Sequence, residues 1–255
     1  MTARDAARGA RLVLHQLEYE QRTFWRTPQA VFFTFALPVL MLVVFATLNS
    51  GYKVSVFQGR RFVEYFVAGM LAFGSISATY GNLAARLVFR RESGQLKRLR
   101  ATPLPASTYL AGIIASSVTV SVAVSAVVLT VGRVFYDVSL PASLLRLIAV
   151  LIVGSGAFCA LGLALTTFIP NTDAADATVF GTLLPVLFIT GVFQVVPTGS
   201  LMDRIAALFP VRHLVRATLD VYAGEPFPWL RLLAVVAWGV FGALIAIRRF
   251  RWSPR

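Results

Sequence analysis

The side chains that could carry covalent or metal chemistry are few and far apart. The sequence has one cysteine, Cys159, and two histidines, His15 and His213. A zinc site needs closely spaced Cys and His ligands, and an intrachain disulfide needs two cysteines. Cys159 lies inside an apolar run, which is typical of a cysteine that packs as a small hydrophobic side chain. The sequence therefore predicts neither a catalytic residue nor a metal site.

One function to be considered for this sequence is that of a membrane enzyme that acts on lipid. Such an enzyme would need acids and histidines gathered at one membrane interface. The nearest candidates are His213 with Asp203 or Asp220, and no second histidine accompanies them. A scaffold protein without transport activity is another alternative, which co-purification with an ATPase and substrate-stimulated ATP hydrolysis would separate from a transporter.

The positions of the lysines argue against ATP hydrolysis by the chain itself. A Walker A loop needs a lysine directly after a glycine, so that backbone N–H groups and the ammonium group surround the phosphates. The two lysines are Lys53, which follows Tyr52, and Lys97, which follows Leu96. If ATP powers this protein, a partner ATPase must bind the ATP and Mg²⁺, and this chain binds no cofactor.

Ion-driven transport would require ionisable side chains inside the membrane, where they are costly and mark a function. Glu64, Arg146, Asp173 and Asp176 instead fall near the ends of apolar runs. We interpret Asp173 as an N-cap and Asp176 as an acid in the first turn of the following helix. An ion-coupled secondary transporter is therefore kept only as an alternative.

The composition predicts the environment that must position these side chains. Hydrophobic residues make up 57% of the chain, charged residues only 14%, and the mean hydropathy is +0.74. Such a chain lacks the polar surface of a soluble domain and needs lipid around it. About 20 apolar residues cross a bilayer as a helix. Six runs are long enough or can be extended by interfacial side chains: 27–52, 65–85, 101–132, 147–172, 177–202 and 232–247.

The charge distribution predicts how these six transmembrane helices are oriented. The net charge is +13, but the basic residues form short clusters between apolar runs, which favours binding to membrane lipids over binding to nucleic acid. Residues 1–26, 86–100 and 248–255 hold 15 of the 24 Lys and Arg residues. The positive-inside rule then places both termini in the cytoplasm.

The fold class predicted is an all-α integral membrane protein whose three polar segments have separate roles. Residues 1–26 form an N-terminal cytoplasmic amphipathic helix, and residues 27–250 form one six-span domain, followed by a cytoplasmic tail at 251–255. Residues 86–100 form a short charged helix on the cytoplasmic side. Residues 197–228 are too apolar for an ordinary loop and too charged to cross, so they predict two outer re-entrant half-helices, split at Pro210.

Three stretches resemble a known family. Residues 91–96 (RESGQL), with 99–104 (LRATPL) and 109–112 (YLAG), are similar to a motif of the type-2 family of ABC exporter permeases. Gly191-Val192-Phe193 and residues 209–216 (FPVRHLVR) resemble two further motifs of that family in the same order. The sequence departs from the family pattern at Gln95, at Gln194-Val195 and at Arg212, which replaces a small polar residue.

The resemblance implies a permease of the bacterial cytoplasmic membrane, most like the multidrug-efflux branch. Two permease subunits, identical or related, would face each other over two ABC ATPase subunits that carry ATP and Mg²⁺. Residues 86–100 would be the coupling helix seated on the ATPase. Its predicted ATPase-coupling residues are Arg90, Arg91, Glu92, Gly94, Leu96, Arg98 and Leu99. The outer gate implied between spans five and six contains Pro210, His213 and Arg216.

The path of a hydrophobic or amphiphilic solute is predicted from spans two and five, since such a solute needs both apolar and hydroxyl contacts. Most small residues in spans two and four instead predict close helix packing. The residues predicted to line the path are Ser75, Thr79, Phe188, Thr190 and Phe193.

Overall fold

The computed structural model describes residues 3–49, 51, 53–54, 60–102, 104–197 and 199–249. These parts of the chain are almost entirely helical and confirm the all-α class. Residues Lys53–Val54 (β1) and Arg60–Arg61 (β2) form a short antiparallel ribbon. The helices are α1 (Ala3–Trp25), α2 (Pro28–Leu48), α3 (Phe62–Ile76), a π-helical turn (Ser77–Gly81), α4 (Asn82–Glu92), α5 (Gln95–Arg100), α6 (Ala106–Tyr136), α7 (Leu144–Thr166), α8 (Asp173–Ile189), α9 (Leu201–Ala206), α10 (Pro210–Ala223) and α11 (Trp229–Arg249).

Five helices in the described ranges are long and apolar enough to cross a membrane. They are α2, the continuous helix Phe62–Glu92 made of α3, the π-helical turn and α4, then α6, α7 and α11. The predicted span 177–202 corresponds to α8, which has only 17 residues and ends at Ile189. Gly191 follows with a φ of 86°, a left-handed conformation that commonly ends helices. Six spans therefore stay a prediction.

The centre of the bundle is α3, which is buried from Val63 to Ile76 and packs against α2, α6, α7 and α10. Glycines let neighbouring helices approach closely. A Cβ atom on Gly242 would lie 2.9 Å from the backbone of α7, and one on Gly162 would lie 2.9 Å from Tyr80 O. These contacts agree with the packing role predicted for small residues in membrane helices.

The segment 86–100 differs from the single helix that the sequence predicted. Residues up to Glu92 continue the second span as α4, and the chain then turns at Ser93–Gly94, where Gly94 has a φ of 72°. Because left-handed φ values suit glycine, the turn occurs there and α5 starts as a separate helix of six residues. The single helix predicted for residues 86–100 is therefore two elements in the structure: the last part of α4 and the separate short helix α5.

The predicted half-helices between spans five and six correspond to α9 and α10, and α10 begins at Pro210. Proline at the first position of a helix is favourable because its missing N–H has no intrahelical partner there. The predicted tail at 251–255 lies outside the described residues. The predicted N-cap is displaced by one residue, since Thr172 occupies that position and Asp173 is the first residue of α8.

Candidate coupling site and transport groove

One end of the bundle, which we call the α5 end, contains a buried ion pair that joins three helices. Glu20 of α1 is fully buried, and Arg90 of α4 donates to both its carboxylate oxygens, at 2.6 and 2.8 Å. Arg90 also donates to the Tyr109 hydroxyl on α6 at 2.9 Å, and Gln16 donates to Glu20 at 2.8 Å. A bidentate pair of this kind fixes both position and orientation. The pair therefore attaches the amphipathic helix α1 to residues 86–100, the segment predicted to couple to the ATPase.

The next two residues of α4 hold the connection between α7 and α8. Arg91 is buried and donates to the carbonyl oxygens of Thr166 at 2.9 Å and Ile169 at 2.5 Å. Glu92 accepts from the backbone N–H of Thr172 at 2.6 Å and from its hydroxyl at 2.5 Å. The carboxylate thus caps the N-terminus of α8, where negative charge is favourable. A displacement of α4 or α5 would therefore be transmitted to α8.

Helix α5 divides its side chains between the bundle and solvent. Leu96 is buried in an apolar cluster with Leu83, Leu87 and Tyr109, so it anchors the helix. Gln95, Lys97 and Arg98 are exposed, and Leu99 is half-buried. The predicted coupling residues therefore have two positions: Arg90, Arg91 and Leu96 face the bundle, whereas Glu92 and Arg98 lie at the surface.

A cleft and a groove lie near this end. An open cleft of about 650 Å³ separates α1 from α5, with His15, Arg90 and Arg98 on its walls. A groove of about 470 Å³ runs between α2, the π-helical turn and α8. Apolar and polar side chains both line the groove. Its lining includes Phe33, Leu37, Phe180 and Leu183, together with Gln29, Thr34, Asn82 and Asp176.

The predicted path residues do not gather in this groove. Ser75 is buried and lies 3.0 Å from Ser155 Oγ, which donates to Ser121 Oγ at 2.9 Å. This hydroxyl chain crosses the bundle core, and Thr79 bonds back to Ser75 O. Thr190 is also buried, at the end of α8. The geometry places these hydroxyls in helix packing within one chain.

Phe188 and Phe193 form an aromatic group with Phe73 near the opposite end of the bundle. The ring centroids are 5.2 Å apart for Phe188 and Phe193 and 5.5 Å apart for Phe73 and Phe193. Phe188 is exposed, whereas Phe193 is half-buried. The two predicted phenylalanines are therefore brought together, apart from the predicted hydroxyls.

That opposite end, which we call the α10 end, contains the three residues predicted for a gate. Pro210 is buried at the start of α10, and His213 Nε2 lies 2.9 Å from Ala207 O. Arg216 is half-buried, with Nη2 4.0 Å from Asp203 Oδ1. Burial would raise the pKa of Asp203, but the Gly199 N–H and the Arg212 guanidinium outweigh it and lower this pKa. Asp203 and Asp220 pair with Arg212 and Arg231 rather than with His213.

No group of three or more metal-ligating side chains occurs within the part of the chain that the structure describes. Comparison with known proteins covers most of the chain. The sequence model of the family described as "ABC-2 type transporter" matches residues 12–222.

The chain belongs to the ABC-2 type transporter family.

A relative supports this assignment. The protein named "Putative transport permease ycf38" from Porphyra purpurea is 25% identical over 240 residues, which cover 90% of this chain and 82% of the relative. Membership of the ABC-2 family makes this chain a multi-pass membrane protein and the transport subunit of an ABC transporter, which works with an ABC ATPase. The family resemblance predicted from three short motifs is thereby confirmed.

Sequence reasoning missed two groups of residues in this ABC-2 permease. Glu20 and Arg86, whose charged atoms lie 3.8 Å apart, lay in charged segments of the sequence. No local pattern marks Glu20 as buried, because the polar Gln16 and Gln21 also point towards the bundle. Arg212 was noted as a departure from the family pattern without a role. Glu20 and Arg90 lie 70 residues apart along the chain, and Asp203 and Arg212 lie 9 residues apart, so no local spacing identifies either pair.

Proposed function

We propose that this chain is the permease subunit of an ATP-driven exporter that moves a hydrophobic or amphiphilic solute across the bacterial cytoplasmic membrane. The observation that carries the proposal is the pair of contacts from Arg91 and Glu92 to the α7–α8 connection. They link the segment proposed to contact the ATPase with the helix that lines the groove. Alternating access requires such a mechanical link, because the chain has no Walker A lysine of its own.

The ATPase docks at the α5 end, which faces the cytoplasm together with both termini. The exposed Lys97 and Arg98 of α5 supply positive charge for this contact, while the buried Leu96 holds α5 on the bundle. Two ATPase subunits bind ATP and Mg²⁺, and this chain supplies no catalytic residue. Trp25 and Leu14 of α1 are exposed and sit in the inner leaflet, near anionic lipid head groups.

The solute passes along the groove between α2 and α8. Aromatic and aliphatic side chains there suit the apolar part of an amphiphile, and Thr34 and Asn82 suit its polar part. Both helices leave large side chains exposed, including Phe33 on α2 and Phe180 on α8. A second permease, identical or related, covers this side and completes the path.

Reconstitution of the chain with its ATPase in vesicles tests this function. We expect accumulation of a fluorescent hydrophobic amphiphile only when both chains, ATP and Mg²⁺ are present. Arg98→Glu should weaken binding of the ATPase by about tenfold, because reversing a charge at an interface is costly. Arg133→Glu is the matched control, since Arg133 is an exposed arginine at the α10 end, paired with Asp137.

Two results would contradict the proposal. One is transport by the purified chain alone with only an ion gradient, which would favour the secondary transporter. The other is stable binding of the ATPase without any solute-dependent ATP hydrolysis across a broad set of amphiphiles, which would favour the scaffold.

A further inference from the structure

A single buried arginine joins three elements at the α10 end. Arg212 of α10 is 3% exposed. Its Nη1 donates to Thr190 O, at the end of α8, over 3.1 Å, and its Nη2 donates to the Asp203 carboxylate of α9. The planar guanidinium can satisfy both partners at once, which the compact ammonium group of a lysine could not do with the same geometry.

The backbone around Arg212 is built for this contact. Gly191, which follows Thr190, has a φ of 86°, and a Cβ atom there would lie only 2.9 Å from Arg212 Nη1. Gly191 O accepts a hydrogen bond from the Tyr65 hydroxyl of α3 at 2.7 Å. The end of α8 is therefore held from one side by α3 and from the other by Arg212.

Asp203 is positioned just as firmly. Its other carboxylate oxygen accepts from the Gly199 N–H at 3.0 Å, and its own N–H donates to Ser200 Oγ at 3.1 Å. The end of α8 cannot separate from α10 unless Arg212 gives up its hydrogen bond to Thr190 O, and the Asp203 carboxylate holds the guanidinium in place for that bond. A buried N–H group that loses its acceptor carries a desolvation cost, so this separation is disfavoured.

We propose that Arg212 is a positioning residue that holds the outer end of α8 against α9 and α10, closing the path in the resting state and setting how readily it opens. This inference rests on the proposed function, because it assumes that α8 lines the path. Arg231, which donates to Asp220 at 2.5 Å, joins α10 to α11 and makes no such contact with α8. It therefore offers a control for the loss of an arginine–carboxylate pair that does not involve α8.

A cysteine reporter at the end of α8 tests the proposal in the complete complex with the ATPase. Cys159→Ala removes the one native cysteine, and Val192→Cys introduces a thiol at a position that is fully buried. A membrane-impermeant maleimide then reports how often this end opens to the outside. We expect Arg212→Gln and Asp203→Asn to raise the labelling rate by about tenfold or more. The first removes the guanidinium that binds Thr190 O, and the second removes the carboxylate charge that orients it.

The dependence on nucleotide separates positioning from mere stability. With Arg212 present, ATP should raise the labelling rate relative to ADP, whereas Arg212→Gln should label rapidly in both. Arg231→Gln should keep the low rate and its response to ATP. An unchanged rate in both Arg212→Gln and Asp203→Asn, or an equal rise in Arg231→Gln, would overturn the proposal. Failure of the proposed function itself would appear separately, as absent ATP-driven transport in the unsubstituted complex.

Discussion

At the scale of residues, the arginines of this permease divide into buried connectors, which link several helices, and exposed arginines. Arg90, Arg91 and Arg212 are all less than a tenth exposed, and each binds oxygens on other elements. Arg98 lies at the surface. Burying a guanidinium is tolerated only when its hydrogen bonds are satisfied, so each connector depends on its partners. The coupling residues predicted from the sequence include arginines of both kinds, buried and exposed.

The Glu20–Arg90 pair leads to a stability prediction. Glu20→Gln should lower the free energy of unfolding by about 3–5 kcal/mol, because it removes one charge of a buried pair and leaves Arg90 uncompensated. Thermal unfolding in detergent measures the change. Glu18→Gln is the control. Both side chains of the Glu18–Arg22 pair are exposed, so we expect the free energy of unfolding to fall by less than about 1 kcal/mol. Equal losses in the two variants would contradict the connector role.

At the scale of elements, residues 86–100, which are proposed to couple transport to the ATPase, are held by contacts that neighbouring helices supply. Helix α5 has only six residues and would not be stable alone. Leu96 fixes it to the bundle, Gly94 allows the turn before it, and Arg91 and Glu92 tie that turn to the α7–α8 connection. We therefore expect coupling to depend on α4, α5, α7 and α8 together.

Loss of the Glu92–Thr172 contact should separate ATP hydrolysis from transport. Glu92→Gln and Thr172→Val should each reduce transport per ATP hydrolysed by about three- to tenfold, because the hydrogen bonds that hold α8 to the coupling segment are removed or weakened. Transport and phosphate release are measured in the same vesicles. Thr172→Ser keeps the hydroxyl and should behave like the unsubstituted protein. Unchanged ratios in both weakened variants would remove α8 from the coupling route.

At the scale of the whole molecule, the described residues form one bundle with α3 at its centre and with α2, α8 and α11 towards its surface. The central hydroxyl chain from Ser75 to Ser121 satisfies polar groups within the bundle. The groove beside α2 and α8, by contrast, is open at the surface of the bundle. In the proposed pairing of permeases, a second subunit opposite this groove would complete the path.

The groove gives a prediction about solute binding. Phe180→Ala should raise the KM for a hydrophobic amphiphile by about tenfold, since it removes part of the apolar lining, while assembly with the ATPase is unchanged. Initial rates of ATP-driven uptake measure this. Phe241→Ala on α11 is the control, because Phe241 is similarly exposed, at 54% against 48% for Phe180, and does not line the groove. A larger effect at Phe241 would move the path away from α8.

The sequence alone determined the membrane environment, most of the helices and the family. Apolar runs, flanking charges and turn-forming glycine and proline act locally, so their consequences can be derived from neighbouring residues, as at Pro210. Only the tertiary structure decided which charged side chains are partners and which hydroxyls face the core. Glu20 with Arg90 and Ser75 with Ser155 are joined across 70 and 80 residues. Such pairs depend on how helices pack and rotate against one another, which the periodicity of a single helix does not specify.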